Sequence, residues 1–241
     1  MSDKKTIAIF GAGPGLGASV ATRFGREGYQ VALVARRRGP LEERVAQLAG
    51  AGIAAAAFPA DLNNIDGIGA LIGSIKERFG GIDVAFYAPV PPDAAFVPAV
   101  QLGATKLQSM AGIFLYSPVE IARALLPDFL KRGHGAFVVA GGLSAVIPTP
   151  GFSALGPLMS AARNYILTLN AEVKSHGVYA GSVSIGGIID RSAGKRDLEA
   201  KGMKFDGSIP IIDPDDIAQE IWTLVTARNR PEVIVPPMPT A

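Results

Sequence analysis

The sequence predicts one α/β domain in which helices cover both faces of a doubly wound parallel sheet. Short apolar runs alternate with longer helical patterns along the whole chain, which is typical of βαβ units. The run 137–140 is apolar at every position, as expected for a strand covered on both faces. The chain has 241 residues, of which 49% are hydrophobic and 18% charged, enough for one domain with a large core.

The predicted elements follow one another along 1–241 without an internal repeat or a linker. Strands are predicted at 6–10, 30–35, 53–60, 83–88, 135–141, 179–185 and 232–235. Helices are predicted at 15–28, 40–50, 64–79, 100–132, 155–175 and 213–229. The last helix begins with Asp213-Pro214-Asp215-Asp216, whose proline and acids are typical of a first helical turn.

A glycine-rich turn joins the first predicted strand to the first predicted helix. Its residues are Gly11, Ala12, Gly13, Pro14, Gly15, Leu16 and Gly17. Glycines at such a junction let the backbone approach a phosphate, which the N–H groups and positive dipole end of the helix then hold. Glycine-rich turns are often only structural, but this position between strand and helix predicts a nucleotide-binding site.

Basic residues at the end of the second predicted strand favour NADP(H) over NAD(H). An acid there would bind the ribose hydroxyls, whereas Arg36 and Arg37, followed by Arg38, favour a 2′-phosphate through paired hydrogen bonds. The alternatives are three solvated arginines or a small nucleic-acid patch. After the third strand, Asp61 would accept a hydrogen bond from the adenine amino group and Leu62 would cover the ring. The alternative role for Asp61 is a helix N-cap.

These features resemble the short-chain dehydrogenase/reductase family. The resemblance rests on the glycine turn, the basic end of strand two and Asp61-Leu62, and it covers essentially the whole chain. It implies a Rossmann-type sheet of about seven strands in the order 3-2-1-4-5-6-7, a nicotinamide cofactor and a homodimer or homotetramer. It also implies a substrate lid at 188–212. The further cofactor contacts that it implies are Ala88, Pro89, Gly186 and Ile188.

The resemblance also implies that all four catalytic positions of the family are substituted. In the family, a Tyr-x-x-x-Lys pair transfers the proton, and a serine and an asparagine complete the site. Pro150-Gly151 and the segment 169–172 fix the register without a gap. The positions of the tyrosine, lysine, serine and asparagine fall on Leu155, Met159, Gly142 and Ser109. Loss of a general acid typically lowers a rate by about 10²–10⁴-fold, so the usual carbonyl mechanism cannot operate.

Four residues are candidates for a replacement proton donor, and each has a structural alternative. Tyr87 ends the fourth strand and would otherwise be a pocket wall. Tyr116 lies seven residues after Ser109, on nearly the same helical face, and would otherwise be helix packing. Ser144 is two residues past the vacant serine position and would otherwise be a loop residue. Asp190 follows strand six and would otherwise be a helix cap or a surface acid. The catalytic residue is therefore left unassigned.

The predicted pocket is apolar and its lid is of mixed charge. The lid carries both basic and acidic residues, which fits an anionic substrate or simply a solvated surface. The predicted wall consists of Pro89, Pro91, Pro92, Phe96, Leu155 and Met159.

Composition excludes several other classes of function. A net charge of +2, from 23 basic and 21 acidic residues, does not favour nucleic-acid binding. The absence of cysteine excludes disulfides, thiolate metal sites and cysteine nucleophiles, and no metal site is predicted. No signal peptide and no fully apolar stretch of the roughly 20 residues that a membrane span needs are found. We therefore expect a cytoplasmic protein with a small-molecule substrate and neither nucleic-acid nor membrane partners.

The predicted function is that of an NADP(H)-dependent oxidoreductase that transfers hydride to a small organic substrate through a non-standard active site. The alternative is a catalytically inactive cofactor-binding protein that serves as a sensor, scaffold or partner subunit. A lyase or isomerase that uses the same cleft is the third possibility. The sequence does not identify the substrate.

Overall fold

A seven-stranded parallel sheet lies at the centre of the protein. The computed structural model describes residues 4–90, 96–207 and 209–238. Its strands are β1 (Thr6–Phe10), β2 (Gln30–Ala35), β3 (Ala55–Pro59), β4 (Val84–Tyr87), β5 (Gly135–Gly142), β6 (Val178–Ile185), β7 (Ile188–Ile189), β8 (Ile211–Ile212) and β9 (Glu232–Val235). The large sheet has the order β3-β2-β1-β4-β5-β6-β9. This confirms the predicted order 3-2-1-4-5-6-7, because β9 is the seventh strand of that sheet.

Helices surround the sheet. They are α1 (Leu16–Arg26), α2 (Arg38–Gly50), α3 (Ile68–Phe79), α4 (Ala104–Ala111), α5 (Ser117–Arg132), α6 (Gly156–Val173), α7 (Ala193–Ala200) and α8 (Pro214–Ala227). Helix α8 starts where its acids and proline predict, and the Asp213 carboxylate caps it by accepting from the N–H of Asp215.

Each face of the sheet has its own hydrophobic core. Successive residues of a strand point to opposite faces, so Ile7 and Ile9 of β1 pack in one core while Ala8 and Phe10 pack in the other. A third apolar cluster includes residues of α4 and α6 and will be called the third cluster. Its buried members are Met110, Ala111, Ile113, Phe114, Ala154, Leu155 and Leu158, and Met159 packs against them.

The helix predicted at 100–132 is interrupted, which corrects that prediction. A short 3₁₀ turn precedes α4, and one π-helical turn, Gly112–Tyr116, joins α4 to α5. Such π-turns are rare and occur frequently at functional sites. Within the described residues, Ala104–Arg132 is also the one helical stretch long and apolar enough to cross a membrane by length and composition. Half of its most apolar window is buried, as in the core helix of a folded domain.

The predicted lid has secondary structure of its own. Strands β7 and β8 pair in parallel as a separate two-stranded sheet, and α7 lies between them in sequence. The two-stranded sheet therefore joins the two ends of the lid. The sequence predicted the lid but not this pairing of its ends.

Candidate active site

The glycine turn lies at the carboxyl end of β1 and is packed tightly against neighbouring backbone. Gly11 has a φ of +93°, and a Cβ at this position would lie 2.6 Å from the backbone nitrogen of Pro89. A Cβ at Gly17 would lie 2.8 Å from the Cα of Ala12. Backbone atoms cannot move aside as a flexible side chain can, so only glycine fits at either position.

The two remaining glycines of the turn differ from each other. A Cβ at Gly15 would lie 2.9 Å from the Cα of Ser192, so the start of the lid packs directly on the turn. A Cβ at Gly13 would meet only the carbonyl oxygen of Gly11, at 3.9 Å, so this side of the turn is open. Pro14 has no N–H to offer a phosphate, and the side chain of Leu16 is buried in the core. No pattern in the sequence predicted the contact between Gly15 and the lid, because the two segments are far apart along the chain.

The end of β2 leaves two cationic side chains available. Arg36 and Arg37 are exposed, and within the described ranges the side chain of neither makes a hydrogen bond or ion pair. Arg38 instead begins α2 and pairs with Glu42 at 3.5 Å. Two unpaired guanidinium groups near an open glycine turn fit a phosphorylated dinucleotide.

Asp61 and Leu62 lie where predicted, at the end of β3, but their contacts are local. The Asp61 carboxylate accepts from the backbone N–H of Asn63 at 2.9 Å, so it closes its own turn and does not cap α3. Leu62 is 4% exposed and packs in the core, and its carbonyl accepts from the hydroxyl of Ser117. A core leucine does not present its side chain as a cover for a ring.

The segments after β4 and β6 lie beside the glycine turn and the lid. The N–H of Ala88 donates to the carbonyl of Phe10, and the next residue, Pro89, packs over Gly11. After β6, the N–H of Gly186 donates to the carbonyl of Val235, and Ile188 begins the lid as part of β7.

Two of the four substituted positions are in contact, and a third lies one helical turn away. The Sδ of Met159 accepts from the N–H of Gly142 at 3.3 Å and lies 3.6 Å from where a Cβ of Gly142 would be. Leu155 lies one helical turn before Met159 and is buried in the third cluster. Ser109 is exposed on α4, and its hydroxyl donates to the carbonyl of Lys106. The structure therefore brings Gly142 and Met159 into contact, with Leu155 in the cluster against which Met159 packs, whereas the Ser109 side chain is exposed and bonded within its own helix.

Three of the four candidate proton donors are unsuited to that role. Tyr87 is 3% exposed and its hydroxyl donates to the carbonyl of Ile113, while burial raises the pKa of its phenol well above the usual range. Tyr116 is 54% exposed on the helix surface. The backbone N–H of Arg191, followed by the Lys195 ammonium, lowers the pKa of Asp190, so that carboxyl stays ionised near neutral pH.

The fourth candidate, Ser144, lies beside Gly142, one of the substituted positions. Its Oγ is 3.6 Å from where a Cβ of Gly142 would be, the same distance as the Met159 sulfur. Within the described residues, it is the one buried side-chain nitrogen or oxygen that has no hydrogen-bond partner.

Aromatic side chains add to the apolar wall. The rings of Phe96 and Phe152 pack edge to face with centroids 4.7 Å apart, and Val97 forms a β-bridge with Phe152. The predicted wall residues Pro91 and Pro92 lie outside the described residues.

The charges of the lid are largely used within the protein. The guanidinium of Arg191 bridges Asp213 at 2.6 Å and Asp215 at 2.9 Å, at the start of α8. Lys195 pairs with Glu199 at 2.7 Å and with Asp190 at 3.4 Å. These pairs favour a structural role for Arg191 and Lys195 over recognition of an anionic substrate.

Comparisons with known proteins agree with this geometry. A family model described as short chain dehydrogenase matches residues 5–200. The chain is 28% identical over 236 residues to a fatty acyl-CoA reductase of Mycobacterium tuberculosis, covering 96% of this chain and 76% of that protein. It is 24% identical over 222 residues to an uncharacterized oxidoreductase of Staphylococcus aureus, covering 92% of this chain and 91% of that protein.

Solved structures share the fold. A metagenomic short-chain oxidoreductase in complex with NADP superposes with a TM-score of 0.79 at 23% identity, over 98% of each chain. The structure of ElxO with NADP bound gives a TM-score of 0.82 at 19% identity, over 96% of each chain.

The packing of the glycine turn predicts different effects for two alanine substitutions. Gly17→Ala forces a Cβ against the Ala12 backbone, so we expect the free energy of unfolding to fall by about 1–3 kcal/mol. Gly13→Ala meets open space and serves as the matched control, with an unchanged free energy of unfolding. Urea denaturation followed by circular dichroism measures both, and equal stability of the two variants would contradict the described packing.

The burial of Tyr87 predicts that its hydroxyl is structural. Tyr87→Phe leaves the carbonyl of Ile113 without its donor, so we expect a loss of stability of about 0.5–1.5 kcal/mol. We expect no change in the binding of a nicotinamide cofactor or in any turnover that depends on it. Thermal unfolding and NADPH oxidation measure the two effects, and a large loss of turnover with normal stability would restore Tyr87 as a proton donor.

Proposed function

Because the chain belongs to the short-chain dehydrogenase/reductase family, we propose that it is an NADP(H)-dependent oxidoreductase whose hydride acceptor needs no proton from a protein side chain. One observation carries the proposal: an open glycine turn with two unpaired arginines lies on the same sheet edge as the uncharged third cluster. The first part is suited to a phosphorylated cofactor, and the second to an apolar substrate.

The cofactor contacts follow from the packing of the turn. The open side at Gly13 and the first N–H groups of α1 would hold the pyrophosphate. Pro89, after β4, and Ser192, in the segment after β6, flank the turn. When bound, the nicotinamide supplies or accepts the hydride. The protein's part is to orient it and to keep water away from it with the third cluster.

Preference for NADP(H) over NAD(H) rests on Arg36 and Arg37. Guanidinium groups form strong paired hydrogen bonds with a phosphate and have no comparable partner in an unphosphorylated ribose. Both side chains are exposed and free of ion pairs within the described ranges, so no ion pair must break when the phosphate binds.

The third cluster, which carries no charge, restricts the kind of substrate. Neither Leu155 nor Met159 can transfer a proton, and the Tyr87 phenol is occupied by the carbonyl of Ile113. Reduction of a simple ketone leaves an alkoxide that needs a proton at once, which this site does not supply. An enone or an iminium accepts hydride without an acid. Water protonates the enolate that forms from the enone, and the amine that forms from the iminium is already neutral.

The proposal is tested by the rate of NADPH oxidation in the presence of enones, cyclic imines and ketones. We expect turnover with at least one activated acceptor and none with simple ketones. Tight NADPH binding with no oxidation by any acceptor would contradict the proposal and favour the inactive sensor or scaffold instead. No NADPH binding would contradict the cofactor site itself.

The role of the two arginines predicts a change in cofactor selectivity. One hydrogen bond to a charged group contributes about 1.5–3 kcal/mol, so for Arg36→Ala and Arg37→Ala together we expect the Kd of NADPH to rise at least about 10-fold. The Kd of NADH should not change. Arg38→Ala, whose side chain pairs with Glu42, is the matched control with an unchanged Kd of NADPH. Isothermal titration measures these constants, and equal weakening of NADH and NADPH would contradict the phosphate contact.

A further inference from the structure

Exposed apolar side chains at the carboxyl edge of the sheet carry an inference that does not depend on the proposed function. We propose that this edge docks on the surface of an anionic lipid bilayer. It is formed by the segments that follow β4, β5 and β6, and its exposed apolar residues, called the apolar edge from here on, are Phe96, Val100, Ile147, Met203 and Ile209. The absence of a fully apolar segment predicted no membrane partner, but docking on a surface needs no spanning segment.

The sheet topology brings these segments to one edge. Strands β4, β5 and β6 are parallel neighbours, so the segments after them leave the sheet on the same side. The first segment is joined to the second by the β-bridge between Val97 and Phe152. The second is joined to the third where Leu143 lies 3.1 Å from where a Cβ of Gly186 would be. The three segments therefore form one connected region.

Apolar exposure is concentrated in this region. Scattered apolar residues are normal on a protein surface, whereas several of them close together mark an interaction surface. Most of the large apolar side chains that are exposed within the described residues lie in the segments after β4, β5 and β6. Val100 is 94% exposed, so no other part of the described chain covers it. The apolar edge shares no residue with the third cluster and is a surface additional to the candidate active site.

Charge identifies the partner. Lys201 and Lys204 lie on either side of Met203 in the sequence and are exposed, and within the described ranges the side chain of neither makes a hydrogen bond or ion pair. The lid segment 191–210 as a whole carries five basic and three acidic residues. Unpaired bases beside exposed apolar side chains are the combination that adsorbs to anionic lipid.

A protein partner fits these lysines less well. Lysine is depleted in protein–protein interfaces, and its ammonium is strongly hydrated. At a bilayer, the ammonium stays in water near the lipid phosphates while its methylene chain lies against apolar surface. Side chains such as Val100 and Met203 enter the boundary of the acyl region at the same time. These properties favour anionic lipid over a second copy of the chain, which is the competing outcome of the test.

The test is flotation of the whole chain with vesicles of phosphatidylcholine and phosphatidylglycerol, compared with vesicles of phosphatidylcholine alone. We expect binding to the mixed vesicles that weakens with added salt, and weaker binding to the neutral ones. Lys201→Gln and Lys204→Gln should each lower the partition coefficient for mixed vesicles about fivefold, and together about 30-fold. Val100→Ser combined with Met203→Ser should lower it about tenfold.

The opposite edge of the sheet supplies matched controls. Leu130 is exposed near the end of α5, just before β5 begins, and Lys131 follows it. Leu130→Ser and Lys131→Gln make the same kinds of change there and should leave the partition coefficient unchanged. The fluorescence of Val100→Trp should be quenched by brominated lipid more than that of the parent protein, and the fluorescence of Leu130→Trp should not.

The outcomes distinguish this inference from its alternatives. No flotation with the mixed vesicles overturns it. Equal losses for the apolar-edge variants and for the controls also overturn it, because they indicate general charge attraction. A concentration-dependent dimer that Val100→Ser dissociates, without flotation, assigns the edge to a second copy of the chain instead. None of these measurements uses a cofactor or turnover, so their failure is separate from failure of the proposed function.

Discussion

Backbone packing at the carboxyl end of β1 is the constraint on which the rest of the structure depends. Gly11 and Gly17 hold the turn against Pro89 and Ala12, at distances that leave no room for a Cβ. Ser192 then packs on Gly15 from the other side, which couples the lid to the turn. One tight turn thus fixes three segments, the end of β1, the segment after β4 and the start of the lid, around a single open space at Gly13.

The same sheet edge combines two environments that differ in polarity. On one side, Arg36 and Arg37 offer unpaired positive charge to a phosphate. On the other, Leu155 and Met159 present hydrocarbon and a thioether, and the titratable candidates are buried, exposed on a helix surface or held ionised. A site of this kind can orient a cofactor and a substrate, but it leaves proton transfer to the substrate or to water.

The sequence predicted the main sheet well because its signals are long and local. Buried strands read as apolar runs, and the glycine turn marks the first βα junction. The two-residue strands Ile188–Ile189 and Ile211–Ile212 escaped prediction, since a strand so short has no periodicity. The alignment to the family's motif assigned Gly142 and Met159 to two neighbouring catalytic positions, and in the structure these two residues are in contact. No pattern could show that Ser144 lacks a partner or that Tyr87 has one, because both depend on contacts distant in sequence.

The central claim is that the cofactor site is intact while no protein acid faces the reacting atoms. A crystal structure of the protein with NADPH bound tests it most directly. We expect the cofactor along the glycine turn, its nicotinamide beside Gly142 and Met159, and no titratable side chain facing the reactive carbon. A tyrosine, lysine, histidine or carboxyl group within hydrogen-bond distance of that space would contradict it.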